Sequence, residues 1–197
     1  GWNQDYWYEG SQGSRNDDLV DEAMTLVGEW AGQVKYSYIQ DDGMSRGYDE
    51  FYAYMIFYQS GNQSDALSGS GVEIDEVHDN QGNVTDQQTL KFSWYIDNNG
   101  DIYLKYASGA TFVLDAGASQ YGFHLGAEKG KNYNTFYGYM IGTGKVKGDI
   151  IYFDLSEVST TGYAKKLTRS ALAATSFGSG ATMKPMAGTV KQLNKRR

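Results

Sequence analysis

The stretch LKFSWYIDNNGDIYLKY, residues 90–106, reads as two strands joined by a tight turn. Leu90, Phe92, Trp94 and Ile96 alternate with Lys91, Ser93, Tyr95 and Asp97, and Ile102 and Leu104 resume the apolar face after the turn. A period of two puts successive side chains on opposite faces, so each strand has one buried and one wet side, as antiparallel sheets do. Asn99-Gly100 between the two runs is the strongest short hairpin signal in the chain.

The same alternation spreads in both directions. In GEWAGQVKYSY (28–38), Trp30, Gly32, Val34, Tyr36 and Tyr38 oppose Gln33, Lys35 and Ser37. FYAYMIFY (51–58), GVEIDEV (71–77), ATFVLD (110–115), YGFHLG (121–126), NTFYGYMI (134–141) and DIIYFDL (149–155) supply further strands, and Asp79 to Asn83 supplies another turn. Eight or nine strands at meander spacing predict an all-β fold, an antiparallel up-and-down β-barrel of about eight to nine strands; a two-sheet β-sandwich is the alternative. Composition agrees: 17 Tyr and 25 Gly against a single Pro suit pleated surfaces and tight turns.

Before the first strand, Leu19, Val20, Ala23, Met24 and Val27 recur at helical spacing, with Asn16 or Asp17 as cap. This predicts a short amphipathic helix ending near Gly28 and closing one barrel end. Asp17, Asp18, Asp21 and Glu22 are read as first-half acids favoured by the helix dipole. The chain thus divides into a flexible leader (1–16), a helix-plus-barrel domain (17–159) and a basic Ser/Ala/Gly-rich tail (160–197). No apolar stretch approaches the roughly 20 residues of a membrane helix. The first 159 residues hold nine basic and all 24 acidic residues, a net −15, while the remainder carries +8. A body so acidic does not suit nucleic acid, whose binding needs a positive face. With no cysteine, disulfides and thiolate metal sites are excluded.

The entry Leu26-Val27-Gly28-Glu29-Trp30-Ala31-Gly32, after an acidic helix, resembles the first strand of lipocalin-like (calycin-like) proteins of gut Bacteroidetes. The W-x-I-x-N-N-G-x-I-Y-L-x-Y run within Phe92 to Tyr106 is similar to their central hairpin. The resemblance covers residues 17–158. It implies an exported protein of the periplasm or outer membrane, in many cases a lipoprotein, with a lipocalin-like fold and no assigned function. Gly1 is read as following a removed upstream segment, with a lipid anchor there part of the expectation.

The inward register runs through Trp30, Val34, Tyr36, Met55, Phe57, Leu90, Phe92, Trp94, Ile102, Leu104, Phe112, Leu114, Ile151, Phe153 and Leu155. Trp30 is expected to plug the barrel base. Tyr36, Phe57, Trp94 and Phe153 are the candidate ligand-binding wall, since pockets combine apolar surfaces with a few polar tips. Core packing is the competing role for all four. The clusters Asp41-Asp42-Gly43, Asp79 to Asn83 and Asp97 to Asp101 lack the calcium-loop spacing and read as turns. His78 and His124 have no nucleophile elbow to serve, and Gly142 to Gly148 lacks the phosphate-loop order. Asp49-Glu50 and Asp75-Glu76 place neighbours on opposite strand faces. No catalytic residue, metal or cofactor is expected. The expected function is non-enzymatic: an exported binding protein holding a small hydrophobic or amphipathic molecule, or a glycan fragment, in the barrel mouth. The alternative is a structural or interaction protein of the bacterial cell surface, with a filled barrel and a partner bound outside.

Overall fold

From Gly28 onward nearly every second residue turns inward, and the sheet those residues line closes on itself. The computed structural model describes residues 9–61 and 65–158, with side chains from Asp17. A helix, α1 (Glu9–Leu26), precedes β1 (Gly28–Ile39), β2 (Arg46–Gln59), β3 (Ser68–His78), β4 (Val84–Ile96) and β5 (Ile102–Tyr106). Then follow β6 (Thr111–Leu114), β7 (Phe123–Gly126), β8 (Thr135–Thr143), a 3₁₀ turn (Gly144–Val146) and β9 (Ile150–Glu157). Each of β1 to β5 pairs antiparallel with the next. β9 joins β1 through Phe153↔Val34 and β8 through Phe153↔Gly138, which closes an eight-stranded barrel and excludes the sandwich. β8 meets β6 near Thr143 and the extra strand, β7, near Thr135 to Gly138.

Cross-strand pairs explain how so many rings fit. Gly69 and Gly71 stand directly across from Trp94 and Phe92. A side chain at Gly71 would fall inside the Phe92 ring, so glycine there makes room for the aromatic opposite. The Asn99-Gly100 turn forms as expected: Gly100 adopts φ +83°, its N–H reaches the Asp97 carbonyl at 3.0 Å, and Asp97 Oδ1 accepts from the N–H groups of Asn99 and Asp101.

α1 begins at Glu9, inside the stretch read as a flexible leader. Once one helical turn has formed, each added residue fixes fewer dihedrals per hydrogen bond, so a docked turn propagates outward at small cost. Asp17 therefore sits at mid-helix and Asp18, Asp21 and Glu22 in the second half, and the dipole rationale for them does not hold. Leu19, Glu22, Ala23 and Leu26 form the buried face. Residues 1–8 and the 160–197 tail lie outside the described residues. Among the described helices none is long and apolar enough to cross a membrane.

Trp30 joins helix to barrel. Fully buried, it meets Phe136 edge-on at 5.4 Å, and its indole N–H donates to the Leu26 carbonyl at 2.8 Å. Leu26 is the last helical residue, so its carbonyl lacks an intrahelical donor and the indole replaces it. Trp30→Phe keeps most of the ring but strands that carbonyl in the core. It should lower unfolding stability by about 1–3 kcal/mol, read from urea midpoints; an unchanged midpoint would contradict the link.

Candidate functional site: the polar end of the barrel

The barrel interior is not uniform along its axis. At the α1 end it is filled by rings. Phe57 meets Phe92 at 5.1 Å, Trp94 at 6.4 Å and Phe136 at 6.2 Å, while Phe136 meets Phe153 at 4.8 Å. The Trp94 indole N–H donates to the Tyr58 carbonyl at 2.9 Å. Phe57, Trp94 and Phe153, three of the four wall candidates, are thus buried in this floor at 0–2% exposure, Phe57 against Trp94 and Phe153 joined to Phe57 through Phe136. Tyr36 stands higher. Its ring is edge-on to Phe112 at 6.0 Å, and its hydroxyl donates to Asp149 Oδ2 at 2.5 Å.

Above the floor the inward positions turn acidic. Asp49 faces Tyr36 across β1–β2. Glu73 lies between Met55 and Leu90, and Asp75 between Ala53 and Gln88. The Tyr106 hydroxyl donates to Glu73 Oε1 at 2.5 Å, and the Gln88 amide donates to Asp75 Oδ2 at 2.7 Å. Asp49, Glu73, Asp75 and Asp149 are all buried, and no Lys or Arg is buried among the described residues. Removing a carboxylate from water costs several kcal/mol unless hydrogen bonds replace its hydration, and phenol and amide donors do part of that here. Inward positions become half-exposed at this end, at Tyr38, Val77, Gln88 and Leu90. Tyr38 lays its ring over Gly47, where any side chain would collide with it. The half-exposed groups stand beside the carboxylates, Leu90 level with Glu73 and Gln88 with Asp75, an arrangement suited to a molecule that brings hydrogen-bond donors.

Sequence reasoning placed Asp49-Glu50 and Asp75-Glu76 on opposite faces, and the structure agrees: Asp49 and Asp75 are buried while Glu50 and Glu76 lie outside. It missed that Glu73 and Asp75 share the inward parity of Gly71 and Val77. That parity was the available signal, in the run Gly71-Val72-Glu73-Ile74-Asp75.

The remaining candidates resolve into local structure. Asp42 Oδ1 accepts from the N–H groups of Met44 and Ser45, and Asp79 Oδ1 from those of Gln81 and Asn83. Hydrogen bonds hold both carboxyl groups below their ordinary pKa, the Ser45 hydroxyl donating to Asp42 Oδ2 at 2.6 Å being the largest influence on Asp42 and the Asn83 N–H on Asp79. Among the described residues no three His, Asp or Glu side chains converge as a metal-binding group. His78 pairs with Glu76 at 2.9 Å and stacks on Tyr52. His124 stacks on Tyr137 at 4.7 Å, and burial lowers its pKa. In the Gly142 to Gly148 loop, Lys145 Nζ donates to the Ser108 carbonyl at 2.6 Å. Outward tyrosines pair across strands, Tyr95 with Tyr103 at 4.6 Å and Tyr139 with Tyr152 at 5.2 Å, as neighbouring sheet positions favour.

Comparison with protein-family models gives no match to this chain, and comparison with curated proteins gives none either. The class the fold defines is therefore the all-β barrel itself.

Tyr106→Phe removes the phenol donor from Glu73 and keeps the ring. The expected loss is about 1–3 kcal/mol of unfolding free energy at neutral pH, measured by chemical denaturation; equal stability would show that the bond contributes nothing.

Proposed function

We propose that this chain is a non-enzymatic binding module of the bacterial cell envelope that holds a small amphipathic molecule in the polar end of the barrel. The amphipathic ligand carries an amine or several hydroxyl groups. The observation that carries this reading is the contrast between the two interior ends. Rings fill one, with Glu22 and Glu157 buried at its edge, while the other combines four buried carboxylates with half-exposed positions at Tyr38, Val77, Gln88 and Leu90. A scaffold gains nothing from interior carboxylates, because apolar residues of similar volume are as stable or more so. Small-molecule sites combine apolar walls with a few placed polar groups. Export, and a lipoprotein anchor, rest on the resemblance of residues 17–158 to envelope proteins of lipocalin-like type.

The test uses three probes of one chain length: octylamine, octanol and octanoate, titrated against the full chain with tryptophan fluorescence and calorimetry. Saturable binding is expected for octylamine, at least tenfold weaker binding for octanol, and none for octanoate. Leu90→Lys, a change at a half-exposed position outside the filled floor, should weaken the amine at least tenfold. Equal binding of all three, or none, would overturn the reading and leave a filled barrel whose partner meets its outer surface.

A further inference from the structure

Glu22 lies in the middle of the buried face of α1, between Leu19, Ala23 and Leu26, at 2% exposure. Its carboxyl rests against the β4–β5 turn, close enough that a side chain at Gly100 would stand 3.0 Å from Oε1. Oε2 is buried and accepts no hydrogen bond. We propose that α1 is a pH-gated plug on the closed end of the barrel, seated while Glu22 is a neutral acid and released when Glu22 ionises against the acidic turn beneath it.

The surroundings of Glu22 argue for this. The turn presents Asp97 and Asp101, and Asp115, in the loop after β6, adds to the charge around Asp101. α1 itself carries Asp18 and Asp21, both on the N-terminal side of Glu22. β7, which also meets α1, brings His124, whose charged neighbours are Glu128 and Lys131. The charges acting on Glu22 itself, Asp101 and Asp97, are both negative. An ionised Glu22 would thus be desolvated and repelled at once, whereas a neutral one is only desolvated. Burial first, then Asp101 and Asp97, push its pKa from 4.5 to about 9.

The sign follows from proton linkage. Below the ordinary carboxyl pKa, seated and released helices are both protonated, and seating is at its strongest. Between about 4.5 and 9 the seated helix holds a proton that the released one does not, so seating weakens as pH rises, by up to tenfold per pH unit. Release uncovers Leu19, Ala23 and Leu26 at the floor of the barrel. In the chain's logic, the end opposite the polar mouth is the one that opens.

Amide hydrogen exchange of the full chain tests this, corrected for the pH dependence of intrinsic exchange. Opening at residues 19–26 should rise several-fold to tenfold per unit from pH 6 to 8, while β9 amides stay constant. Glu22→Gln, which mimics the neutral acid, should fold and show a flat helix profile. An equal slope in the variant, or none in the wild type, would overturn the proposal. Carboxyl ¹³C titration of Glu22 in the intact protein gives a second reading that needs no variant. A midpoint well above neutrality supports the plug, and one in the ordinary carboxyl range rejects it.

Discussion

The structure depends on β9 being hydrogen-bonded along both edges. Through β1 on one side and β8 on the other, it turns a meander of strands into a closed wall. An open sheet of this length would leave two edges for other chains to pair with. Closure also fixes the interior, because once β9 is locked in register the inward residues of all eight strands must share one space. Phe153 and Leu155 then face Val34 and Gly32 across one ladder, and Gly138 and Phe136 across the other. The alternation of large and small residues at these crossings lets the floor fill with rings without forcing the strands apart.

The interior is built along an axis. At the α1 end, Trp30 ties the helix to the barrel through the Leu26 carbonyl, and Phe57, Trp94, Phe136 and Phe153 stack above it. At the other end the side chains are acidic and phenolic, held by Tyr36–Asp149 and Tyr106–Glu73. The two ends therefore answer to different forces. Apolar burial holds the first, and hydrogen bonds that replace lost hydration hold the second.

Much of this was legible in the sequence because it follows from parity and turn chemistry. Thirteen-residue β4 alternates strictly enough that its buried side could be read off directly, and Asn99-Gly100 placed the turn. The helix was harder. Its stripe Leu19, Val20, Ala23, Met24, Val27 gave no sign that it begins at Glu9, and it was centred off the buried face, where Leu26 with Leu19 and Ala23 puts Glu22 at i+3. Residue type assigns an acid to the wet face, and the packing of α1 against the β4–β5 turn overrides that for Glu22. The site was harder for a similar reason. Tyr36, Phe57, Trp94 and Phe153 share one inward parity, so parity alone could not tell floor from mouth. Height along the barrel separates them, and height is set by register between strands far apart in sequence.

The closed barrel is the claim on which floor, mouth and plug all rest, and amide hydrogen exchange along β9 tests it most directly. Consecutive N–H groups of a strand point to opposite neighbours. If β9 is paired with both β1 and β8, every amide from Ile151 to Ser156 should be protected to a similar degree. Fast exchange at every second residue would show one free edge and contradict the closed barrel.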